Sequence, residues 1–93
     1  MIRTFADSKT ADLWQTGTSR CFPRELHGLM LRKLVLVNAA ADVRDLASPP
    51  GNRLKKLSGK RKEDWSIRVN DQWRITFRWV AGQPERVAVE DYH

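Results

Sequence analysis

Apolar and polar residues alternate along positions 65–79, on both sides of the polar stretch 70–72. Alternation with a period of two is typical of β-strands that bury one face. Both apolar sets reach the same face if opposed residues have position numbers with an even sum, and this pairs Val69 with Trp73. A two-residue loop would instead bring an arginine into the core. The pattern therefore predicts a β-hairpin with a three-residue loop. Its predicted core face carries Trp65, Ile67, Val69, Trp73, Ile75, Phe77 and Trp79.

The same register determines which residues meet on the opposite face of the hairpin. It pairs Asp64 with Arg78, which carry opposite charges. It also places Arg68 directly opposite Arg74, where like charges repel. The two guanidinium groups therefore either extend into water and pair with carboxylates elsewhere, or bind an anion such as phosphate. The hairpin alone leaves both interpretations open.

Helical patterns precede the hairpin. Asp7 or Ser8 is suited to cap a helix that runs to about Gln15 and ends at Gly17. In the segment 24–41, apolar residues recur at i, i+3 and i+4 spacing, which predicts an amphipathic second helix.

Shorter apolar stretches predict the remaining strands. They are Ile2–Phe5 at the start of the chain, 54–57 before the hairpin and 86–93 after it. The element order is then β-α-α-β-β-β-β. It predicts a single α+β domain over residues 1–93, in which two helices pack on one face of one mostly antiparallel sheet.

The charge balance of the chain is strongly basic. It has 17 Lys and Arg residues against 11 Asp and Glu, a net charge of +6 and a pI near 10.1. Such a balance favours an acidic partner, whether nucleic acid, an anionic membrane surface or an acidic protein. With one cysteine, Cys21, no signal peptide pattern and no membrane-spanning stretch, we expect a cytoplasmic protein. No Cys/His spacing suggests a metal site.

The chain ends in polar residues that carry candidate chemistry. By alternation Tyr92 shares the sheet face of Arg68 and Arg74, whereas Asp91 and His93 start on the opposite face. Tyr, His, Asp and arginine together suit metal-free RNA cleavage, which needs a base, an acid and cations to stabilise the phosphorane. Tyrosine also stacks on bases. The residues alone favour the simpler interpretation, in which they cap the end of the sheet.

Five segments together are specific enough to indicate a family: Met1–Phe5, Asn52–Leu54, Leu57–Gly59, Trp65–Phe77 and Asp91–His93. They resemble the HigB-type toxins, in particular the HigB/GraT subgroup, of the RelE/ParE toxin superfamily. The resemblance implies a RelE-like microbial RNase fold, in agreement with the element order above.

The resemblance also implies a function. The expected protein is the toxin of a type II toxin–antitoxin system, a ribosome-dependent endoribonuclease that cleaves mRNA in the A site of the 70S ribosome and inhibits translation. It would use no metal and no cofactor. Its expected partner is a HigA-like helix-turn-helix antitoxin, through which it would contact operator DNA only indirectly, and no membrane is involved.

Site residues follow from the resemblance by position. The implied catalytic residues are Arg74, which matches a phosphate-binding arginine, and the ending Asp91, Tyr92 and His93. Some relatives carry a histidine at the position of Lys55, and lysine, with an ordinary pKa near ~10.4, is a poor base at neutral pH. Proton transfer then depends on His93 alone or on a perturbed Lys55, or catalysis rests mainly on electrostatics and positioning. The expected phosphate- and RNA-binding residues are Arg68, Lys55, Lys56, Lys60, Arg61 and Lys62.

Two alternative functions remain open. A ParE-like toxin would inhibit DNA gyrase without chemistry, since the superfamily shares its fold and a fold does not determine function. Against it stands the ending 91–93 beside the paired arginines, for which a gyrase inhibitor has no evident need. A basic RNA-binding module would expose aromatic residues for stacking, and the aromatic residues of the hairpin are predicted on its core face.

Overall fold

In the computed structural model, which describes residues 1–91, two helices pack on one face of a four-stranded antiparallel sheet. The helices are α1 (Ser8–Thr16) and α2 (His27–Ala39), and the strands are β1 (Lys55–Lys56), β2 (Asp64–Arg68), β3 (Trp73–Val80) and β4 (Gln83–Asp91). Short 3-10 turns occupy Arg24–Leu26, Val43–Ala47, Pro50–Asn52 and Gly59–Arg61. The strands lie in chain order across the sheet. The predicted α+β architecture is confirmed.

Both helices form close to their predicted positions. The Asp7 carboxylate caps α1 by accepting a hydrogen bond at 2.9 Å from a backbone N–H of the first turn. Gly17, with a φ of 84°, ends that helix in the left-handed conformation. The second helix is shorter than the predicted 24–41, because a 3-10 turn follows Pro23 and Ala40 is already extended. Neither helix of the described chain has the length and apolar character needed to cross a membrane.

The hairpin of β2 and β3 has the predicted register. The Val69 N–H donates to the Trp73 carbonyl at 2.9 Å, and Arg68 lies opposite Arg74. The Asn70 side chain closes the loop by accepting hydrogen bonds from two backbone N–H groups, at 2.8 and 2.9 Å. The other pairs are Asp64–Arg78, Trp65–Phe77, Ser66–Thr76 and Ile67–Ile75.

The predicted first strand, Ile2–Phe5, is wrong: the segment forms a single parallel bridge, between Phe5 and Val87 of β4. At this point β4 has a register irregularity, with Arg86 at a φ of 54°. The Arg86 N–H donates to the Thr4 hydroxyl at 2.9 Å. A bulge of this kind interrupts ladder pairing, so the N-terminal segment lies along β4 without becoming a strand.

The apolar core lies between the helices and the apolar face of the sheet. Its fully buried side chains include Leu13, Met30, Leu34, Val37, Ile67, Ile75, Val87 and Val89. Trp65 and Trp79, predicted on the core face of the hairpin, pack against this core, but they are only partly buried and border an open groove. The predicted face is therefore confirmed for both residues, and only the extent of their burial was not given by the pattern. Alternation determines the face that a residue occupies, but not how far the core covers that face.

Candidate functional site

A pocket of about 290 Å³ opens on the face of the sheet opposite the helices. Its lining residues come from β1, β2, β3 and adjoining loops: Arg53, Lys55, Ser66, Arg68, Asp71, Trp73 and Arg74. We term it the arginine pocket. Because four of these side chains are cationic and one is a carboxylate, the pocket suits an anion.

Sheet register brings three of the four cations together. Lys55 lies opposite Ser66, and Arg68 lies opposite Arg74. These side chains therefore leave the same face of neighbouring strands, which are spaced about 4.8 Å apart. The juxtaposition of the two arginines, predicted from alternation alone, is confirmed.

Arg53 supplies the fourth cation from a loop. Its backbone is left-handed, with a φ of 46°, directly after a 3-10 turn. Asn52, which is fully buried, holds that turn by donating its amide to the carbonyls of Leu46 and Ser48 at 3.2 Å each. A buried amide with its hydrogen bonds satisfied is fixed in place, so the backbone of Arg53 starts from a rigid point.

Arg68 has a carboxylate partner at the rim of the pocket. Its guanidinium donates to Asp71 of the hairpin loop, whose side chain is 100% exposed. Ion pairs this exposed contribute little to stability. The contact reduces the repulsion between the paired arginines, and a phosphate can replace the carboxylate at small cost.

A second group of charges, the Arg61 cluster (Arg61, Asp64, Thr76, Arg78 and Glu90), lies on the same face. The Arg61 guanidinium donates to both Glu90 oxygens at 2.8 Å and to Asp64 at 3.0 Å. Arg78 donates to Asp64 at 3.4 Å, and the Thr76 hydroxyl donates to Glu90. The hydrogen bonds from Arg61 are the main cause that lowers the pKa of Glu90, and they raise the pKa of Arg61 in turn.

The Arg61 cluster ties the 3-10 turn Gly59–Arg61 to the end of β4. Lys60 and Lys62, on either side of Arg61, are exposed to solvent. All three residues were expected to contact RNA, and that role stays a prediction. For Arg61 the structure adds a role inside the protein, in holding the turn.

Lys56 lies on the other face of the sheet from Lys55. It pairs with Trp65 in the sheet, and its Nζ lies 5.4 Å from the centroid of the Trp65 ring. The two lysines, both expected to bind RNA, are therefore divided between the faces, and Lys56 does not line the arginine pocket.

The last described residue, Asp91, ends β4 opposite Trp73. Its side chain therefore starts on the face opposite to that of the paired arginines, as alternation predicted. The carboxylate accepts a hydrogen bond at 3.3 Å from the amide of Gln72 in the hairpin loop. The candidates Tyr92 and His93 lie outside the described residues.

Comparison with known proteins identifies the family. A family model described as a RelE-like toxin of the type II toxin-antitoxin system HigB matches residues 3–93. The chain belongs to the HigB-like toxin family. The resemblance seen in the sequence and the RelE-like fold expected from it are both confirmed. Membership of a type II toxin–antitoxin family also implies an antitoxin partner.

Three relatives show how far the likeness of this HigB-like chain extends. It is 44% identical over 63 residues to Toxin HigB-1 of Vibrio cholerae. These residues are 68% of the chain and 66% of that toxin, so the match spans just under two thirds of the relative's length. It is 36% identical over 76 residues to an uncharacterized protein of Haemophilus influenzae, covering 81% and 75%. It is 29% identical over 93 residues, the full length of both chains, to Endoribonuclease HigB of Proteus vulgaris.

Two residues of the HigB-like toxin were not among the predicted site residues: Arg53, which lines the arginine pocket, and Glu90, which holds Arg61 in the neighbouring cluster. Glu90 could have been found from the sequence, because alternation places it on the same sheet face as Arg74. The two residues lie opposite each other in the sheet. Arg53 gave no such signal, because its position depends on a left-handed residue after an irregular turn.

Among residues 1–91, no three His, Cys, Asp or Glu side chains cluster in a way that could hold a metal ion.

Proposed function

We propose that this HigB-like toxin is a metal-independent endoribonuclease that cleaves mRNA in the A site of the 70S ribosome and so inhibits translation. The observation that carries the proposal is the arginine pocket, in which four cations from three strands and a loop line one space of about 290 Å³. The name of the full-length Proteus vulgaris relative supports the reaction class.

The reaction requires three kinds of catalytic group from the protein: a base, an acid and cations. The 2′-oxygen attacks the adjacent phosphorus while the bond to the 5′-oxygen breaks, which yields a cyclic phosphate and a free 5′-hydroxyl. A base removes the 2′-hydroxyl proton, an acid protonates the leaving oxygen, and cations stabilise the charge that develops on the phosphorane. Arg68 and Arg74 supply this stabilisation, because bidentate guanidinium groups match phosphate oxygens. Arg53 and Lys55 add positive charge beside them.

Tyr92 and His93 are assigned the proton transfers. They follow β4 in sequence, and β4 ends beside Trp73, a residue of the pocket lining. Asp91, which is bonded to Gln72, positions the start of this ending. Lys55, exposed on the pocket face, stabilises phosphate and does not act as the base.

The partners follow from the same proposal. The exposed cations Lys56, Lys60 and Lys62 bind phosphates of ribosomal RNA or of the message outside the cleavage site, where phosphate contacts dominate affinity. Arg61 keeps the turn beside these lysines in place through Glu90. A HigA-like helix-turn-helix antitoxin neutralises the toxin and carries its contact with operator DNA. The site of action is the cytoplasm.

The test is to induce the toxin in cells and to map mRNA 5′ ends on translated and untranslated versions of one message. Cuts confined to the translated message are expected. Arg74→Ala and His93→Ala should each lower cutting by about 10²-fold or more, the range for the loss of one transition-state contact or proton-transfer group.

Arg20→Ala is the matched control, since it removes an exposed arginine between the helices and should leave cutting unchanged. Full toxicity of both site variants would overturn the site assignment. Intact mRNA with arrested replication would overturn the reaction and favour the gyrase-inhibiting alternative.

A further inference from the structure

A second open groove, of about 660 Å³, lies beside the connection between β1 and β2. Its lining includes Lys56, Lys62, Trp65, Arg78, Trp79 and Val80. We term it the tryptophan groove. Its volume is within the range of sites that hold a small ligand, and the cleavage chemistry proposed above does not use it.

The groove exposes aromatic surface that is held rigidly. Trp65 and Trp79 pack against the core on one side and line the groove on the other. Trp79 also makes an edge-to-face contact with Phe77, with ring centroids 6.4 Å apart and an angle of 68° between the planes. Val80 beside it is 37% exposed. Partly exposed, fixed aromatic rings are typical of platforms on which bases stack.

Three cations and one carboxylate, that of Glu63, line the groove beside this aromatic surface. Lys56 Nζ lies 5.4 Å from the Trp65 ring centroid, and Lys62, which directly follows the turn Gly59–Arg61, is exposed and lines the groove. Arg78 also lines the groove, and its guanidinium is held by Asp64. A ligand that fits both the aromatic surface and the cations has a planar ring and an anionic group, as a nucleotide does.

We infer that the tryptophan groove binds an unpaired nucleotide of RNA, with its base on Trp79 and its phosphate near Lys56 and Lys62. Trp79 is the platform because Lys56 already lies over the ring of Trp65. RNA as the ligand class rests on the proposed function. An acidic protein segment would satisfy the cations, but it would leave the flat aromatic surface without a matching partner.

The position of the groove favours a strand of RNA that also reaches the arginine pocket. β1 is the edge strand of the sheet and has two residues. Lys55 lines the arginine pocket on one face, and Lys56 lines the tryptophan groove on the other. RNA that passes around this edge therefore meets a cation on each face.

The test measures binding of a fluorescein-labelled six-nucleotide oligoadenylate to the full-length His93→Ala protein. A ribose-phosphate hexamer without bases is the second probe. The base-containing probe should bind about tenfold more tightly, because stacking contributes that much per base. Trp79→Leu should remove this preference and Trp79→Phe should keep most of it. Trp14→Leu, which changes a partly buried tryptophan of α1, should leave it unchanged.

Lys62→Gln provides a variant at an exposed position, where folding is not at risk. It should weaken both probes alike by about two- to fivefold and reduce the salt dependence of binding. Lys9→Gln, an equal loss of charge on α1, should change neither quantity.

Several outcomes would overturn the inference. Equal binding of the two probes, or an unchanged preference in Trp79→Leu, would show that no base stacks in the groove. Loss of antitoxin binding in Trp79→Leu with RNA binding intact would identify the groove as a protein-binding surface. These results would leave the proposed cleavage reaction standing, because that reaction is judged by mRNA 5′ ends in cells.

Discussion

The arginine pocket and the Arg61 cluster lie on the same face of one sheet, and both are centred on arginine, yet their carboxylates differ. In the cluster, the carboxylates of Asp64 and Glu90 are 15% and 29% exposed, and they hold Arg61 through three hydrogen bonds. In the pocket, Arg68 contacts Asp71, which is fully exposed.

This difference separates arginines that hold the fold from arginines that can meet a ligand. A guanidinium bonded to shielded carboxylates loses much if it is removed, since its partners stay behind without compensation. A guanidinium facing an exposed carboxylate can exchange it for phosphate at little cost. Residue type and sheet face are the same in both regions, so the burial of the acidic partner is what distinguishes them.

The largest stability effect is expected for Arg61→Ala. Because Arg61 itself is 40% exposed, we expect the free energy of unfolding to fall by about 1–2 kcal/mol. Urea denaturation measures this change. Arg68→Ala is the matched control and should cost less than about 0.5 kcal/mol. Equal losses in the two variants would remove the distinction between the regions.

A smaller effect is expected at the pocket rim. Asp71→Asn removes the carboxylate that competes with phosphate for Arg68, so oligoribonucleotide binding should tighten by about two- to fivefold. Fluorescence anisotropy detects such a change. Asp12→Asn on α1 makes the same change of charge and should have no effect. If binding weakens in Asp71→Asn, the loop carboxylate orients Arg68 for the ligand and does not compete with it.

The smallest effect is the pH dependence of the Arg61 cluster. The pKa of Glu90 is lowered in the folded state from its ordinary 4.5, chiefly by Arg61. The stabilisation is therefore complete above about pH 4.5 and is lost as pH falls through the lower folded pKa. In a domain of this size, a loss of 1 kcal/mol lowers the Tm by roughly 4–8 °C. The loss of Tm between pH 6 and pH 3 that is due to Glu90 should be smaller than this, and thermal unfolding measures it. Glu90→Gln should lack this component, and an identical pH profile in that variant would contradict the assignment.

The hairpin was predictable because its apolar residues leave one acceptable register. A register shifted by one residue would bury an arginine, and a three-residue loop avoids this with a common hairpin length, so a local pattern was enough to predict contacts between two strands. The prediction of a first strand at Ile2–Phe5 was wrong for the opposite reason. Its pairing depends on β4, where the irregularity at Arg86 interrupts the ladder, and nothing in Ile2–Phe5 reports a bulge elsewhere in the chain.

The candidate site was predictable where it depends on alternation and obscure where it depends on distant partners. The facing of Arg68 and Arg74 follows from parity, and so does the division of Lys55 from Lys56. The hydrogen bonds that hold Arg61 do not follow from parity, because its partner Glu90 lies 29 residues away in the chain. A run of basic residues looks the same in sequence whether its members are held or exposed.

The two lysines of β1 also affect how copies of the protein behave toward one another. An open sheet edge offers unpaired backbone groups to any neighbouring strand, and short, lysine-bearing edges suppress such association. β1 is an edge of this kind, and the segment 3–6 hydrogen-bonds along β4 at the other side of the sheet. The side chains to which the proposed function assigns RNA phosphates thus also protect the protein against strand-to-strand aggregation.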